Sequence, residues 1–127
     1  MTQFPRVSLG AAALSGALAV AFGAFGAHAL RDVFDERAMS TWHTAVDYQF
    51  WHALALLACA VLAQRRESMA LRCATLSFIV GSVLFCGSLY ALALGAPGWI
   101  GAITPVGGLG FIAGWICLGG AFWRSAR

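Results

Sequence analysis

The sequence has no lysine and few charged residues of either sign. Charged residues make up 10% of the 127 positions, and all eight basic residues are arginine. Soluble domains carry about 25% charged residues, and nucleic-acid-binding domains concentrate Lys and Arg on one face. Here the arginines are scattered as short flanks of apolar runs. The scarcity of charge excludes an ordinary soluble domain and argues against a nucleic-acid partner.

Motifs for metal binding, redox chemistry and hydrolysis are also missing. The four cysteines lie in or beside apolar runs without a C-x-x-C pair, and there is no G-x-S-x-G turn. A haem would have only His28 and His52 as ligands. His43 and Asp47 have a spacing of four that is common on any helix. We therefore expect a non-enzymatic protein with no catalytic residues, no metal and no cofactor.

Four long apolar segments are what the sequence does contain. Hydrophobic residues make up 61% of the chain, and the mean hydropathy is +0.80. Each segment can cross a hydrocarbon core of about 30 Å as a helix that rises about 1.5 Å per residue. The sequence predicts an all-α integral membrane protein, a four-transmembrane-helix bundle. Its single domain covers residues 1–127, with approximate spans 7–30, 46–63, 71–94 and 104–123.

The arginines are unevenly divided between the two ends of the spans. The side that holds both termini has six arginines and one acidic residue, Glu67. The other side has two arginines and four acidic residues, in or next to the connector 31–45. Short Arg-rich loops stay in the cytoplasm. We therefore expect a multi-pass protein of a bacterial inner (plasma) membrane, with both termini cytoplasmic and the connector periplasmic.

The start of the second helix is marked by a capping residue. Asp35 is a suitable N-cap, and neither Gly nor Pro follows it before Gly81. The second helix can therefore begin well before the membrane and enter it without a break. A surface helix broken near Ser40 is the alternative.

The start of the fourth helix has two interpretations. Thr104 and Pro105 can form a kink in a helix that begins near Trp99, or they can be the N-cap and the first helical position. Because Pro105 to Trp123 is long enough to span by itself, we favour the second interpretation. The amides of residues 106–108 would then point toward the periplasmic half of the bundle.

Small residues repeat at helical spacing in the apolar segments, and such faces let helices approach closely in lipid. The first segment has two of them, so one can serve the bundle and the other a homo-oligomer. The first face contains Leu14, Ala17, Ala21, Ala24 and His28; the second contains Ala12, Gly16, Ala19 and Gly23. The predicted helix-packing glycines are Gly16, Gly23, Gly81, Gly110 and Gly114.

The second segment has a polar and aromatic seam in its outer part. The seam contains Trp42, Ala45, Gln49, His52, Leu56, Cys59 and Ala63. An unpaired amide or imidazole in hydrocarbon costs several kcal/mol, so Gln49 and His52 should have partners. We predict a polar cluster in the periplasmic half of the bundle. Its members are His28, Trp42, Gln49, His52, Ser88, Tyr90, Thr104, Pro105, Gly107 and Gly108.

The predicted cluster can be structural or can bind a ligand. Polar groups between membrane helices stabilise docking by about 0.6 to 2 kcal/mol per interaction. Ionisable residues inside spans also mark sites for a small ligand, a lipid headgroup or a proton path. The lipid bilayer is the expected partner, and the ligand is open. A transport or proton-path accessory protein and a haem- or metal-binding membrane protein are the alternatives.

Four motifs in this order resemble one protein family. GAFGAHAL, TWHTAVDYQFWHALALL, LFCGSLYALAL and GAITPVGGLGFIAGW are similar to the YgdD-like family of small inner-membrane proteins. This is a domain-of-unknown-function family whose animal member is called transmembrane protein 256. The similarity runs from about Leu9 to Trp123, with Cys86 where LFSGSLY is expected. The resemblance implies a four-span membrane protein without an assigned substrate or catalytic residue, and its motif positions coincide with the predicted polar cluster.

Overall fold

Four long helices make up the computed structural model, which describes residues 2–127. Helix α1 is Gln3–His28, α2 is Glu36–Arg65, and α3 is Met69–Ala93 with a π-helical turn at Ser82–Cys86. A 3₁₀ turn, Gly98–Ala102, leads into α4, Ile103–Ser125. All four are long and apolar enough to cross a membrane. The predicted all-helical membrane fold is confirmed.

Helix α2 begins well before the predicted second span. The Asp35 carboxylate accepts a hydrogen bond from the Ala38 amide at 2.7 Å and caps the helix. From there α2 continues without a break at Ser40, because nothing in this part of the chain interrupts helical hydrogen bonding. Most of the connector 31–45 is therefore helical, and α2 extends as one rod beyond its apolar segment.

Helix α2 lies at the centre of the packing. One side of it packs along α1, and its other contacts are with α3 and the aromatic side chains of α4. The predicted seam of α2 is buried along its whole length. Leu56 and Cys59 of this seam join Phe78 and Phe111 in the main core. Helices α1 and α3 flank α2 and hardly touch each other, which leaves a cleft between them.

Helix α1 has two small-residue faces, and the first of them does not face the bundle. Leu14, Ala17, Ala21, Ala24 and His28 are all exposed. The second face is the one that packs on α2, with Ala12 and Ala19 buried and Gly23 close to Val46. Of the two faces, the one that carries His28 therefore does not pack on α2, although His28 was predicted to belong to the polar cluster. Further along the packed face, Gly26 provides the space that the indole of Trp42 fills.

The favoured start of the fourth helix is also wrong. Thr104 and Pro105 lie inside the first turn of α4, which begins at Ile103 directly after the 3₁₀ turn. Proline is tolerated in a first helical turn because the amides there have no intrahelical partner. The helix starts earlier than predicted, so the amides of Gly107 and Gly108 lie within its hydrogen-bonded ladder and are not a free N-terminus.

A tight turn sets α4 beside the end of α3. The Ala96 amide donates to Ala91 O at 2.9 Å and the Gly95 amide to Leu92 O at 3.1 Å. This is a Schellman motif, which needs a residue with positive φ, and Gly95 has φ 98°. The turn brings Thr104 of α4 level with Ser88 of α3.

Candidate functional site

Gln49 links three helices through its side-chain amide. Its Nε2 donates to the Ser15 carbonyl of α1 at 3.2 Å, and its Oε1 accepts from the Tyr90 hydroxyl of α3 at 2.6 Å. Gln49 is buried, so these bonds form away from water. A polar side chain in the middle of an apolar helix is thus satisfied by both neighbours at once.

Trp42 lies next to the Gln49–Tyr90 contact, on the side toward the start of α2. Its indole N–H donates to the Phe22 carbonyl at 2.9 Å, and its ring lies 4.6 Å from the Tyr90 ring, centroid to centroid. A Cβ atom at Gly26 would come within 2.6 Å of the indole, which is closer than carbon atoms approach. Glycine at this position therefore lets α1 and α2 meet over the buried tryptophan.

His52 is held by both ring nitrogens. Trp115 Nε1 lies 3.1 Å from His52 Nε2, and His52 Nδ1 lies 2.7 Å from Tyr48 O. An indole N–H can only donate, so Nε2 is the acceptor and Nδ1 carries the hydrogen that goes to the carbonyl. The ring also stacks on Phe111 at 3.6 Å. This arrangement fixes a neutral imidazole with no free lone pair for a metal, a haem or a reacting proton.

Ser88 and Thr104 join α3 to α4. The Ser88 hydroxyl donates to Phe85 O at 2.9 Å, and the two side-chain oxygens lie 2.6 Å apart. Because the Ser88 hydrogen goes to the carbonyl, the Thr104 hydroxyl is the donor in the second bond. Within residues 2–127, the hydrogen-bond partners of Ser88 are thus Phe85 O and Thr104 Oγ1, and neither is a base that could activate it as a nucleophile.

The residues of the predicted polar cluster do not form a single hydrogen-bonded group. The structure divides it into a Gln49–Tyr90–Trp42 group, a His52 group at the level of Trp115, and the Ser88–Thr104 pair. His28 and Pro105 are exposed and belong to none of them. His28 was predicted to belong to the cluster, but the face that carries it is exposed.

Glycines bring α4 into contact with the π-helical turn of α3. A Cβ atom at Gly107 would overlap the backbone nitrogen of Phe85, and one at Gly81 would lie 2.8 Å from the Phe111 ring. At Gly114 it would lie 2.5 Å from the Phe78 ring. By contrast, Gly108 has only ordinary contact distances to Phe85. The contact between α3 and α4 thus depends on glycine at specific positions.

Two residues that make polar contacts between helices, Trp115 and Ser8, were not predicted from the sequence. Trp115 lies in the middle of a span, whereas Trp is usually enriched at the membrane interfaces, and that unusual position is the signal that was available. In the half of the bundle that holds the termini, the Ser8 hydroxyl donates to Leu56 O at 3.0 Å and lies 3.4 Å from Thr75 Oγ1. Ser8 is fully buried, and a lone serine near a terminus gives no such signal.

A cleft of about 330 Å³ lies between α1 and α3, with α2 as its floor. Its walls are mostly apolar, and the exposed Leu14 and Val83 form part of the lining, so the cleft opens sideways toward lipid. Four polar residues line it: Ser15, Gln49, Ser82 and Tyr90. Pockets of this volume, apolar with a few polar groups, are typical of small-molecule sites.

Ser82 differs from several other hydroxyl residues of these helices. Thr41, Thr44, Ser88 and Ser125 each donate to a carbonyl three or four residues earlier, as helical Ser and Thr commonly do. Within residues 2–127, Ser82 Oγ alone among the buried side-chain oxygens and nitrogens has no hydrogen-bond partner. It lies at the start of the π-helical turn and lines the cleft.

Four apolar helices joined by internal hydrogen bonds define a small multi-pass membrane protein. The chain belongs to the family described as protein of unknown function (DUF423), whose sequence profile matches residues 22–108. It is similar to the UPF0382 membrane protein of Haemophilus influenzae, with 44% identity over 113 residues, 89% of this chain and 90% of that protein.

Two further relatives agree with this assignment. The UPF0382 inner membrane protein YgdD of Escherichia coli is 45% identical over 104 residues, 82% of this chain and 79% of that protein. YwdK of Bacillus subtilis is 41% identical over 107 residues, 84% and 87% of the two chains. No solved structure matches the chain. The family resemblance and the location in the inner membrane are confirmed, and the names of the relatives assign no activity.

Proposed function

We propose that this protein is a non-enzymatic membrane protein that binds a lipid-like molecule in the cleft between α1 and α3. The observation that supports this proposal is the cleft itself, which is open to lipid and is lined by Ser82, whose buried hydroxyl has no hydrogen-bond partner within residues 2–127. An apolar chain entering from the bilayer would cover the exposed walls. The proposed site differs from the predicted one, because it shares Gln49 and Tyr90 with it but neither histidine.

The polar groups outside the cleft support a structural role. His52, Ser88 and Thr104 use their hydrogen-bonding groups on one another, on Trp115 and on backbone carbonyls. A nucleophile needs a base within hydrogen-bond reach, and neither Ser88 nor Thr104 has one among its bonded partners. In this proposal, these bonds keep α2, α3 and α4 together while α1 and α3 form the binding cleft.

Filling the cleft tests the proposal. A Cβ atom at Gly87, which lines the cleft, meets nothing within 4 Å, and the same is true of Gly119 on α4, outside the cleft. Gly87→Leu should therefore occupy the cleft without a clash at Cβ, and Gly119→Leu is the matched control. The probe is phosphatidylcholine with a diazirine in one acyl chain, photolysed with the full-length protein in vesicles.

Cys86 is the position at which the adduct is read by mass spectrometry. It lines the cleft but is only 2% exposed, so bulk lipid reaches it poorly. We expect adducts at Cys86 in the wild type and in Gly119→Leu, and a several-fold loss in Gly87→Leu. Equal adducts at Cys86 in both variants would refute binding in the cleft.

A further inference from the structure

The polar groups in the cleft include hydrogen-bond donors that lack acceptors. We infer that the cleft binds a molecule of the isoprenoid quinone class, an uncharged ring carbonyl compound with an apolar tail, and that Ser82 and Gln49 donate to its carbonyl oxygen. This inference rests on the proposed lipid-binding function and adds the chemistry of the ligand. It concerns binding alone and includes no redox step.

The spare donors determine the kind of polar group that fits. Ser82 Oγ is buried with no partner among the described residues, so its hydrogen is free. Gln49 Nε2 has two hydrogens, of which one goes to Ser15 O. The Gln49 acceptor Oε1 is already occupied by the Tyr90 hydroxyl. A ligand that brings an acceptor would satisfy the two donors, whereas an apolar chain alone would leave Ser82 unpaired at a cost.

The charge of the lining residues distinguishes a neutral carbonyl ligand from an anionic one. Among residues 2–127, no Arg, Lys, His, Asp or Glu lines the cleft. A carboxylate or phosphate placed there would lose its hydration without a cation to pair with. A ketone-type oxygen carries no such penalty and accepts hydrogen bonds from a hydroxyl and an amide. The lining therefore favours a neutral acceptor over a fatty acid.

The depth of Ser82 in the membrane distinguishes a quinone ligand from a phospholipid ester. Ser82 lies near the middle of α3, Met69–Ala93. The ester groups of phospholipids lie near the surface of a hydrocarbon core that is about 30 Å thick, roughly 15 Å from its centre. A phospholipid chain would therefore present no acceptor at Ser82. An isoprenoid quinone is uncharged and can lie within the core, with its ring at Ser82 and Gln49 and its tail leaving past Leu14 and Val83.

The test compares a quinone with a hydrocarbon of the same tail. Full-length protein in phosphatidylcholine nanodiscs is titrated with a benzoquinone carrying two isoprene units, with the two-isoprene hydrocarbon that lacks the ring, and with decanoate. Bound probe is measured by native mass spectrometry. The variant is Ser82→Ala, and the control is Ser77→Ala, which removes a hydroxyl from the same helix outside the cleft.

The quinone should bind more tightly than the hydrocarbon and decanoate. Ser82→Ala should weaken quinone binding about five- to tenfold, the loss of one hydrogen bond, and should leave hydrocarbon binding unchanged. Ser77→Ala should behave as wild type. The hydroxyl removed at Ser82 has no partner among the described residues, so the fold should tolerate the change; Ser82→Cys, a weaker donor of similar size, serves if it does not.

The alternative outcomes separate the two proposals. Equal binding of quinone and hydrocarbon, or equal quinone binding by wild type and Ser82→Ala, would overturn the quinone inference and keep the lipid-binding function. Tighter binding of decanoate than of quinone would also overturn it. Binding of none of the probes, together with no acyl-chain adduct at Cys86, would overturn the proposed function itself.

Discussion

At the scale of single residues, nearly every buried polar group has one definite partner. His52, Gln49 and Trp42 bond respectively to a Trp indole, a Tyr hydroxyl and a backbone carbonyl on another helix. In water such groups could exchange partners, but in hydrocarbon an unpaired donor or acceptor has no substitute. Each bond therefore contributes to the choice of one helix register over its alternatives.

The bond between His52 and Trp115 can be measured by a double-mutant cycle. His52→Phe and Trp115→Phe keep aromatic volume near Phe111 and remove one partner each. We expect each single variant to destabilise the protein. We expect the double variant to lose less than the sum, with a coupling energy of about 0.6 and at most about 1.7 kcal/mol. Reversible unfolding in detergent, followed by circular dichroism, gives the three differences.

A second cycle provides the control. Trp123 lies on α4, as Trp115 does, but it is exposed and makes no bond to His52. Trp123→Phe combined with His52→Phe should be additive. A coupling in the first cycle no larger than in this one would mean that the bond to Trp115 does not contribute to stability.

The sequence predicted which polar residues face inward on α2, but not their partners. Gln49 and His52 were identifiable because a polar side chain is conspicuous in an apolar helix. Their partners include the carbonyls of Ser15 and Tyr48. Every residue has a carbonyl, so no residue type indicates which one accepts. Ser82 is not among the predicted residues, and only the three-dimensional contacts show that its buried hydroxyl has no partner within residues 2–127.

At the scale of helices, the sequence predicted the four segments and the inward face of α2 but not that of α1. In α1 both faces consist mainly of small residues, so the small residues alone do not distinguish them. The deciding contact is the fit of the Trp42 indole over Gly26, which depends on the position of α2. The start of α4 was misjudged for a similar reason, because Thr-Pro is compatible with an N-cap and with a first turn.

The glycine contact between α3 and α4 gives a test at this scale. Gly107→Ala places a methyl group against the backbone of Phe85, so the helices must move apart or α3 must change its π-helical turn. We expect Gly107→Ala to destabilise the protein by about 1 to 3 kcal/mol, as overpacking does. Thermal unfolding in detergent measures the effect as a lower melting temperature.

The neighbouring glycine is the matched control for this change. A Cβ atom at Gly108 would lie 3.8 Å from the Phe85 ring, an ordinary contact. Gly108→Ala should therefore keep the wild-type melting temperature or raise it slightly, since Ala favours a helix over Gly. If the two variants melted at the same temperature, the close contact of Gly107 with the Phe85 backbone would not stabilise the packing of α4 on α3.

At the scale of the whole molecule, the two ends of the bundle differ in charge. The termini and the α2–α3 turn carry six arginines, and the turn also holds the only salt bridge among residues 2–127, Arg72 to Glu67 at 2.9 Å. The opposite end has the acidic connector and the capped start of α2. Short arginine-rich segments resist translocation, so this asymmetry favours one orientation of the four helices.

Cysteine labelling tests the expected orientation, with both termini in the cytoplasm. Asp32→Cys reports on the connector and Gln64→Cys on the α2–α3 turn; both positions are exposed, and neither change removes an arginine or the salt bridge. Each is made in a variant whose four native cysteines are replaced by Ala or Ser. With an impermeant maleimide on cells whose outer membrane has been opened, we expect labelling at position 32 alone. Both positions should react after the inner membrane is disrupted. Labelling at position 64 before disruption, with position 32 protected, would show that the protein has the opposite orientation and that the arginine asymmetry does not determine its topology.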